Sequence, residues 1–131
     1  MPKDYPWLGH AYGDKAQFLL NENNLKQSLE YRKKSCSQYQ RKYKKVKDND
    51  SDSSLLHCYY MLSTTYDDLK LFKESINISS KAILIFEKYD DYKVNDFHTL
   101  TQFNYQIFQR ARAYESVFQY DNSIKDYERI F

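Results

Sequence analysis

Three histidines, two cysteines and two pairs of adjacent carboxylates carry the side-chain chemistry of catalysis or metal binding in this chain. Their spacing argues against both. His10, His57 and His98 stand singly, and no His-x-x-x-His or Cys-x-x-Cys pair is present to hold a metal. Cys36 lies among cations that would lower a thiol's pKa, but no histidine is close in sequence to serve as its base. Asp67-Asp68 and Asp90-Asp91 are immediate neighbours, and neighbours on a helix do not face one another. A solvated helix face and a loop are their plain readings. No catalytic, metal-binding or cofactor-binding residue is therefore expected, although a site completed by another subunit would escape this argument. Cys36 and Cys58 read most simply as reduced thiols on helix faces. Asn77-Ile78-Ser79 has the form of a glycosylation acceptor, but with no secretion signal chance explains it better.

Binding chemistry is better represented. Arg32, Lys33, Lys34, Arg41, Lys42, Lys44, Lys45 and Lys47 place eight positive charges in sixteen residues with no acid among them. The net charge is +2, so the remainder sums to 2 − 8 = −6. Tyr31, Tyr39 and Tyr43 lie among the cations. Such a run attracts acidic protein surfaces, and aromatic residues between cations can stack the bases of single-stranded nucleic acid. The plainer reading is a solvated helix face, because Tyr39 and Tyr43 fall on an apolar stripe. An acidic protein partner ranks next and nucleic acid last.

The elements that position these residues are helices. Pro2, Pro6, Gly9 and Gly13 are all the prolines and glycines, and the 118 residues from Asp14 onward contain neither. Sheet proteins need them in turns, and phosphate-binding loops need glycine. Helices joined by turns of Asp, Asn and Ser do not. With 131 residues, 41% hydrophobic and 29% charged, the chain has the balance of one soluble domain able to bury a core. The longest apolar run, Ala82 to Phe86, is too short to span a bilayer, so no membrane insertion is expected. No signal-peptide core is present at the N-terminus, and the expected location is cytoplasmic.

Taken in order, residues 1–13 read either as an arm packing Trp7 and Tyr12 on the end of the fold or as the start of a first helix opened by Pro6. Leu25, Leu29, Cys36, Tyr39, Tyr43 and Val46 form a helical stripe, with Arg32 filling one slot. Residues 48–54 are expected to break it, with Asp52, Ser53 or Ser54 capping the next helix. That helix carries Leu55, Tyr59, Leu62, Tyr66 and Leu69; after a turn near Lys70, another carries Phe72, Ile76, Ile83 and Phe86. Residues 89–95 form a second long connection, with Asn95 or Asp96 as cap. The fifth helix has Phe97, Leu100, Ile107, Ala111 and Tyr114 on one face, and the sixth begins near Asp121.

A small residue followed by a bulky one recurs in one register. Ala16 and Leu19 precede Leu25, Ser28 and Leu29. Ser63 and Tyr66 precede Phe72, Ser75 and Ile76. Ala111 and Tyr114 precede Tyr120, Ser123 and Ile124. Leu19 to Tyr66 is 47 residues and Tyr66 to Tyr114 is 48. A small side chain lets two helices approach, and the bulky one fills the gap above. The pattern resembles the tetratricopeptide (TPR) repeat, a helical hairpin that stacks on copies of itself, with a period longer than the usual ~34 residues. The family's glycine is replaced by Ser63 and Ala111 in the second and third copies. The resemblance implies an all-α stack of three antiparallel hairpins. Its repeats would be residues 14–47, 54–88 and 95–131 of a domain spanning 14–131.

In the family the first helix of each repeat lines a concave groove that receives a peptide or partner helix. By spacing, the resemblance places Tyr60, Thr64 and Asp67 there from the second repeat, and Tyr105, Phe108, Arg112 and Glu115 from the third. Aromatic residues and Arg dominate binding hot spots; the alternative is that these aromatics pack against neighbouring helices. The Lys and Asn arrangement that clamps a C-terminal carboxylate in chaperone-binding members is absent. The sequence ends on Ile130-Phe131 within a stripe, without the polar capping helix of a closed solenoid. Either the chain is a fragment, or Phe131 and its surroundings meet a second copy or a larger assembly. The expected function is a non-catalytic protein–protein interaction module, adaptor or complex subunit. The rival is an electrostatic binder using residues 32–47.

Overall fold

Six α-helices and no strand are found among the described residues of the computed structural model, which are 6–45, 49–88 and 97–131. They are α1 (Pro6–Asn21), α2 (Leu25–Lys45), α3 (Asn49–Asp68), α4 (Phe72–Glu87), α5 (Phe97–Ser116) and α6 (Tyr120–Ile130). Each packs on the next in chain order, and α3 also meets α5. The result is a stack of three antiparallel hairpins, α1/α2, α3/α4 and α5/α6.

The hairpin turns repeat in backbone detail. Asn23, Lys70 and Phe118 adopt left-handed φ values of 60°, 62° and 65°. Around each, the amide three residues past the helix returns to a carbonyl five residues back: Asn24 to Leu19 at 2.8 Å, Leu71 to Tyr66 at 2.8 Å, Gln119 to Tyr114 at 2.9 Å. These accepting carbonyls belong to the three bulky residues of the repeating pattern. Together with the Asn23–Leu20, Lys70–Asp67 and Phe118–Glu115 bonds, this is a Schellman closure, which glycine usually makes. Asn tolerates the left-handed region, whereas Lys and Phe pay about 1 kcal/mol for it. Lys70→Gly and Phe118→Gly are each expected to raise stability by about 1 kcal/mol, read as a higher urea midpoint, and Asn23→Gly by less.

The small positions are closed in every copy. Ala16, Ser63 and Ala111 are all 0% exposed, and Ser28, Ser75 and Ser123 opposite them are buried. In the first hairpin the Ser28 hydroxyl donates to the Ala16 carbonyl at 2.7 Å, and that of Ser35 to Gly9 at 2.7 Å. A Cβ at Gly9 would lie 3.2 Å from the Tyr39 ring, so glycine sets how closely α1 and α2 approach. The main apolar core lies between the hairpins, built on Leu55, Leu62, Tyr66, Ala82 and Phe86 with Leu29, Tyr39 and Ile78 against it.

Four expectations need correction or fall elsewhere. Residues 49–54 do not form a loop; they are the first turns of α3, so Asp52, Ser53 and Ser54 are inside the helix rather than capping it. Asp and Asn near a helix N-terminus complement its dipole, which a composition-based loop reading overlooks. Leu100 is 39% exposed rather than on the core face. Cys36 and Cys58 are not free thiols: both are buried and joined as a disulfide, with Cα atoms 5.6 Å apart. The 89–95 connection, the Asn95 and Asp96 caps and Lys47 lie outside the described residues.

Candidate functional site

The first helices of the hairpins, α1, α3 and α5, border a chain of three cavities. One, about 540 Å³, lies between α1, α2 and α3 and reaches Gln102 of α5. A second, about 230 Å³, is walled by His57, Tyr60, Thr101, Gln102 and Tyr105. A third, about 560 Å³, is walled by Tyr60, Thr64, Asp67, Phe72, Gln109 and Arg112, among others. His57 and Gln102 are common to the first two and Tyr60 to the last two, so each cavity adjoins the next.

Five of the residues assigned to the groove from sequence come together in it. The Tyr60 and Tyr105 rings are 5.9 Å apart, and Tyr105 is 54% exposed. Thr64, Asp67 and Arg112 line the third cavity. The other two, Phe108 and Glu115, turn elsewhere, toward the end of the chain that carries Phe131. Phe108 meets Tyr127 edge to face at 5.9 Å, and Glu115 accepts from the Tyr127 hydroxyl at 3.5 Å. Phe131, 90% exposed, stacks on Tyr127 at 6.5 Å. These residues belong to the outer face of the last hairpin. Arg112 joins the two regions, since its guanidinium also sits 5.9 Å from the Phe108 ring.

Glutamines missing from the sequence reading tie α5 to α3. Gln106 donates to the Leu56 carbonyl at 3.3 Å, and Gln109 to Thr64 Oγ1 at 3.1 Å and Asp67 Oδ2 at 3.4 Å. Their three-residue spacing places both on the α5 face toward α3; that spacing was the available signal. Asp67 is thus a structural carboxylate as much as a groove group. Burial raises its pKa above the usual aspartate value; the Ser75 hydroxyl and Arg112 pull the other way, and Asp68 adds to the rise. Neither Asp67 Oδ1 nor Ser75 Oγ reaches a partner in hydrogen-bonding geometry. Because the folded pKa lies above the unfolded one, stability falls as pH rises through that interval and stays lower above it. Asp67→Asn is therefore expected to raise Tm at pH 7 by about 3 °C and to flatten the acid side of the Tm–pH curve. A Tm lower than wild type at pH 7 would contradict this.

The basic run is divided. Arg32 is 7% exposed and faces inward, so it does not belong to a surface patch; it occupies the stripe slot between Leu29 and Cys36. Lys33 lies over the Tyr66 ring at 5.8 Å and Lys34 over Tyr31 at 4.9 Å. Lys15 donates to the Tyr31 hydroxyl at 3.0 Å, which lowers that tyrosine's pKa. Arg41 is exposed and Lys42 half-buried, while the Lys44 and Lys45 side chains lie outside the described residues. Among the described residues no His, Cys, Asp and Glu cluster is placed to hold a metal, and no helix is long and apolar enough to cross a membrane.

Comparison with known families matches residues 56–89 to the tetratricopeptide repeat model, over about a quarter of the chain. Comparisons with curated proteins and with solved structures find no match. The matched segment runs from Leu56, within α3, through α4. Within it, Tyr59-x-x-Leu62-Ser63-x-x-Tyr66 follows the family's aromatic, leucine, small residue and tyrosine spacing. All four side chains are buried. Tetratricopeptide repeats generally mediate protein–protein interactions, and the family is typically non-catalytic. Residues 56–89 thus match a tetratricopeptide repeat, and they lie within a stack of three helical hairpins.

Proposed function

We propose that this chain is a non-catalytic interaction module, an adaptor or structural subunit that holds a segment of a partner protein along the groove bordered by α1, α3 and α5. The observation that carries the reading is the Tyr60–Tyr105 pair, standing at the junction of two cavities with Tyr105 half exposed. Large aromatic residues beside a concavity, with Arg112 near them, have the composition of a binding hot spot. The outer face of α5 and α6, with Phe108, Tyr127 and Phe131, is a second contact for a larger assembly or a further copy.

Affinity purification with mass spectrometry identifies the partner. Tyr60→Ala with Tyr105→Ala is then expected to reduce its capture about tenfold or more, with far-UV circular dichroism unchanged. Undiminished capture by the double variant would defeat the groove reading. The electrostatic reading of residues 32–47 is weakened by the inward Arg32 and by the lysines seated on tyrosine rings. Nucleic-acid binding through that run would fall steeply with salt, and a filter-binding assay retaining none at low salt removes it.

A further inference from the structure

We propose that the cavity between α1, α2 and α3 receives one carboxylate, an acidic side chain of the segment held in the groove, with Arg32 as its counter-ion. The inference rests on the groove reading and gives that groove a chemistry. Arg32 is 7% exposed and lines the 540 Å³ cavity, and its side chain makes no hydrogen bond or ion pair with a described residue. A guanidinium has five N–H donors and does not give up its charge in proteins. A buried charge without a partner is costly. Burial holds the Arg32 pKa below the usual arginine value, and Tyr39 and Asp14 offset that only in part.

The neighbouring polar groups are occupied with each other. The Ser35 hydroxyl donates to the Gly9 carbonyl, and Tyr39 Oη lies 2.8 Å from His10 Nδ1. Gly13 leaves room for the guanidinium, since a Cβ there would stand 3.3 Å from Arg32 Nη1. The site is therefore a held cation facing an open cavity. The planar fork of Arg matches a carboxylate. Asp14, exposed and lining the same cavity, offsets part of the attraction of Arg32 for any anion, and a doubly charged phosphate ester loses far more hydration on entry than a singly charged carboxylate does. That favours the carboxylate.

The test uses the full chain and three capped tripeptides with alanine on either side of glutamate, glutamine or phosphoserine, read by the NMR shift of the Gly13 amide. The glutamate peptide is expected to give a saturable shift and the glutamine peptide none, with phosphoserine binding about threefold weaker or more. Arg32→Gln is expected to abolish the glutamate shift, and Asp14→Asn to tighten binding about threefold. The proposal is overturned if glutamate leaves Gly13 unmoved, if glutamine moves it equally, if phosphoserine binds more tightly, or if Arg32→Gln still binds. Should Arg32→Gln fail to fold, Asp14→Asn decides, and unchanged affinity there overturns the proposal. A null result with these peptides, alongside partner capture that still depends on Tyr60 and Tyr105, would sink the carboxylate site and leave the groove reading standing.

Discussion

Arg110→Ala is expected to destabilise the protein by about 3–5 kcal/mol, the usual cost of orphaning one member of a buried ion pair. Arg110 grips Asp126 with two bonds, Nε to Oδ2 at 2.8 Å and Nη2 to Oδ1 at 2.7 Å, and a third from Nη1 reaches Ser80 Oγ at 3.2 Å. It thereby ties α4, α5 and α6 together. The Arg110 and Asp126 side chains are 18% and 7% exposed, so solvent screens the pair weakly. The Asp126 hydrogen bonds raise the Arg110 pKa against the opposing effect of burial. Alanine at 110 would leave the Asp126 carboxylate buried without its counter-ion.

The repeat supplies a control for this prediction. Lys15 and Tyr31, Leu62 and Ile78, and Arg110 and Asp126 occupy the same pair of positions in successive hairpins, sixteen residues apart each time. The slot is hydrogen-bonded in the first, apolar in the second and ionic in the third. Arg110→Leu with Asp126→Ile copies the second hairpin's solution. Well-packed apolar pairs often equal or exceed the buried ion pairs they replace, so the double variant is expected to recover most of the loss or more. Urea denaturation of the two single variants and the double one measures this. A double variant as unstable as Arg110→Ala would show that the slots are not equivalent.

Reduction of the Cys36–Cys58 disulfide is expected to lower stability by about 3 kcal/mol, from the lost constraint on the unfolded chain. The bond spans 22 residues and staples α2 to α3, the seam between the first and second hairpins. Both cysteines are buried at 4% and 1% exposure, so reductant acts once the seam opens. Thermal melts after full reduction should fall by about 10 °C in the wild type and remain unchanged in Cys36→Ser. A wild-type Tm indifferent to reduction rules the staple out. Disulfides persist mainly in oxidising compartments, so this measurement also bears on the cytoplasmic location expected from sequence.

The sequence by itself determined the helices, their order, the hairpin turns and the small buried positions. All of these depend on contacts local in the chain. A stripe at three- and four-residue spacing decides which helix face is apolar. The step from a small residue to a bulky one lies within a single hairpin, which is why Ala16, Ser63 and Ala111 were visible as equivalents. The start of α3 was misread because Asp, Asn and Ser favour both loops and helix beginnings.

Tertiary structure alone decided which side chains meet between helices. Helix crossing, which no residue spacing specifies, brought Cys36 beside Cys58 and Arg110 beside Asp126. It also aimed Arg32 inward, although its charge had placed it with its exposed neighbours. Tyr60 and Tyr105 lie far apart in the chain and came to pair ring against ring, whereas Phe108, only three residues from Tyr105, meets Tyr127 instead. Residues three apart stand about 60° from each other around a helix, so Tyr105 and Phe108 share a broad face of α5, from which one ring reaches Tyr60 of α3 and the other Tyr127 of α6.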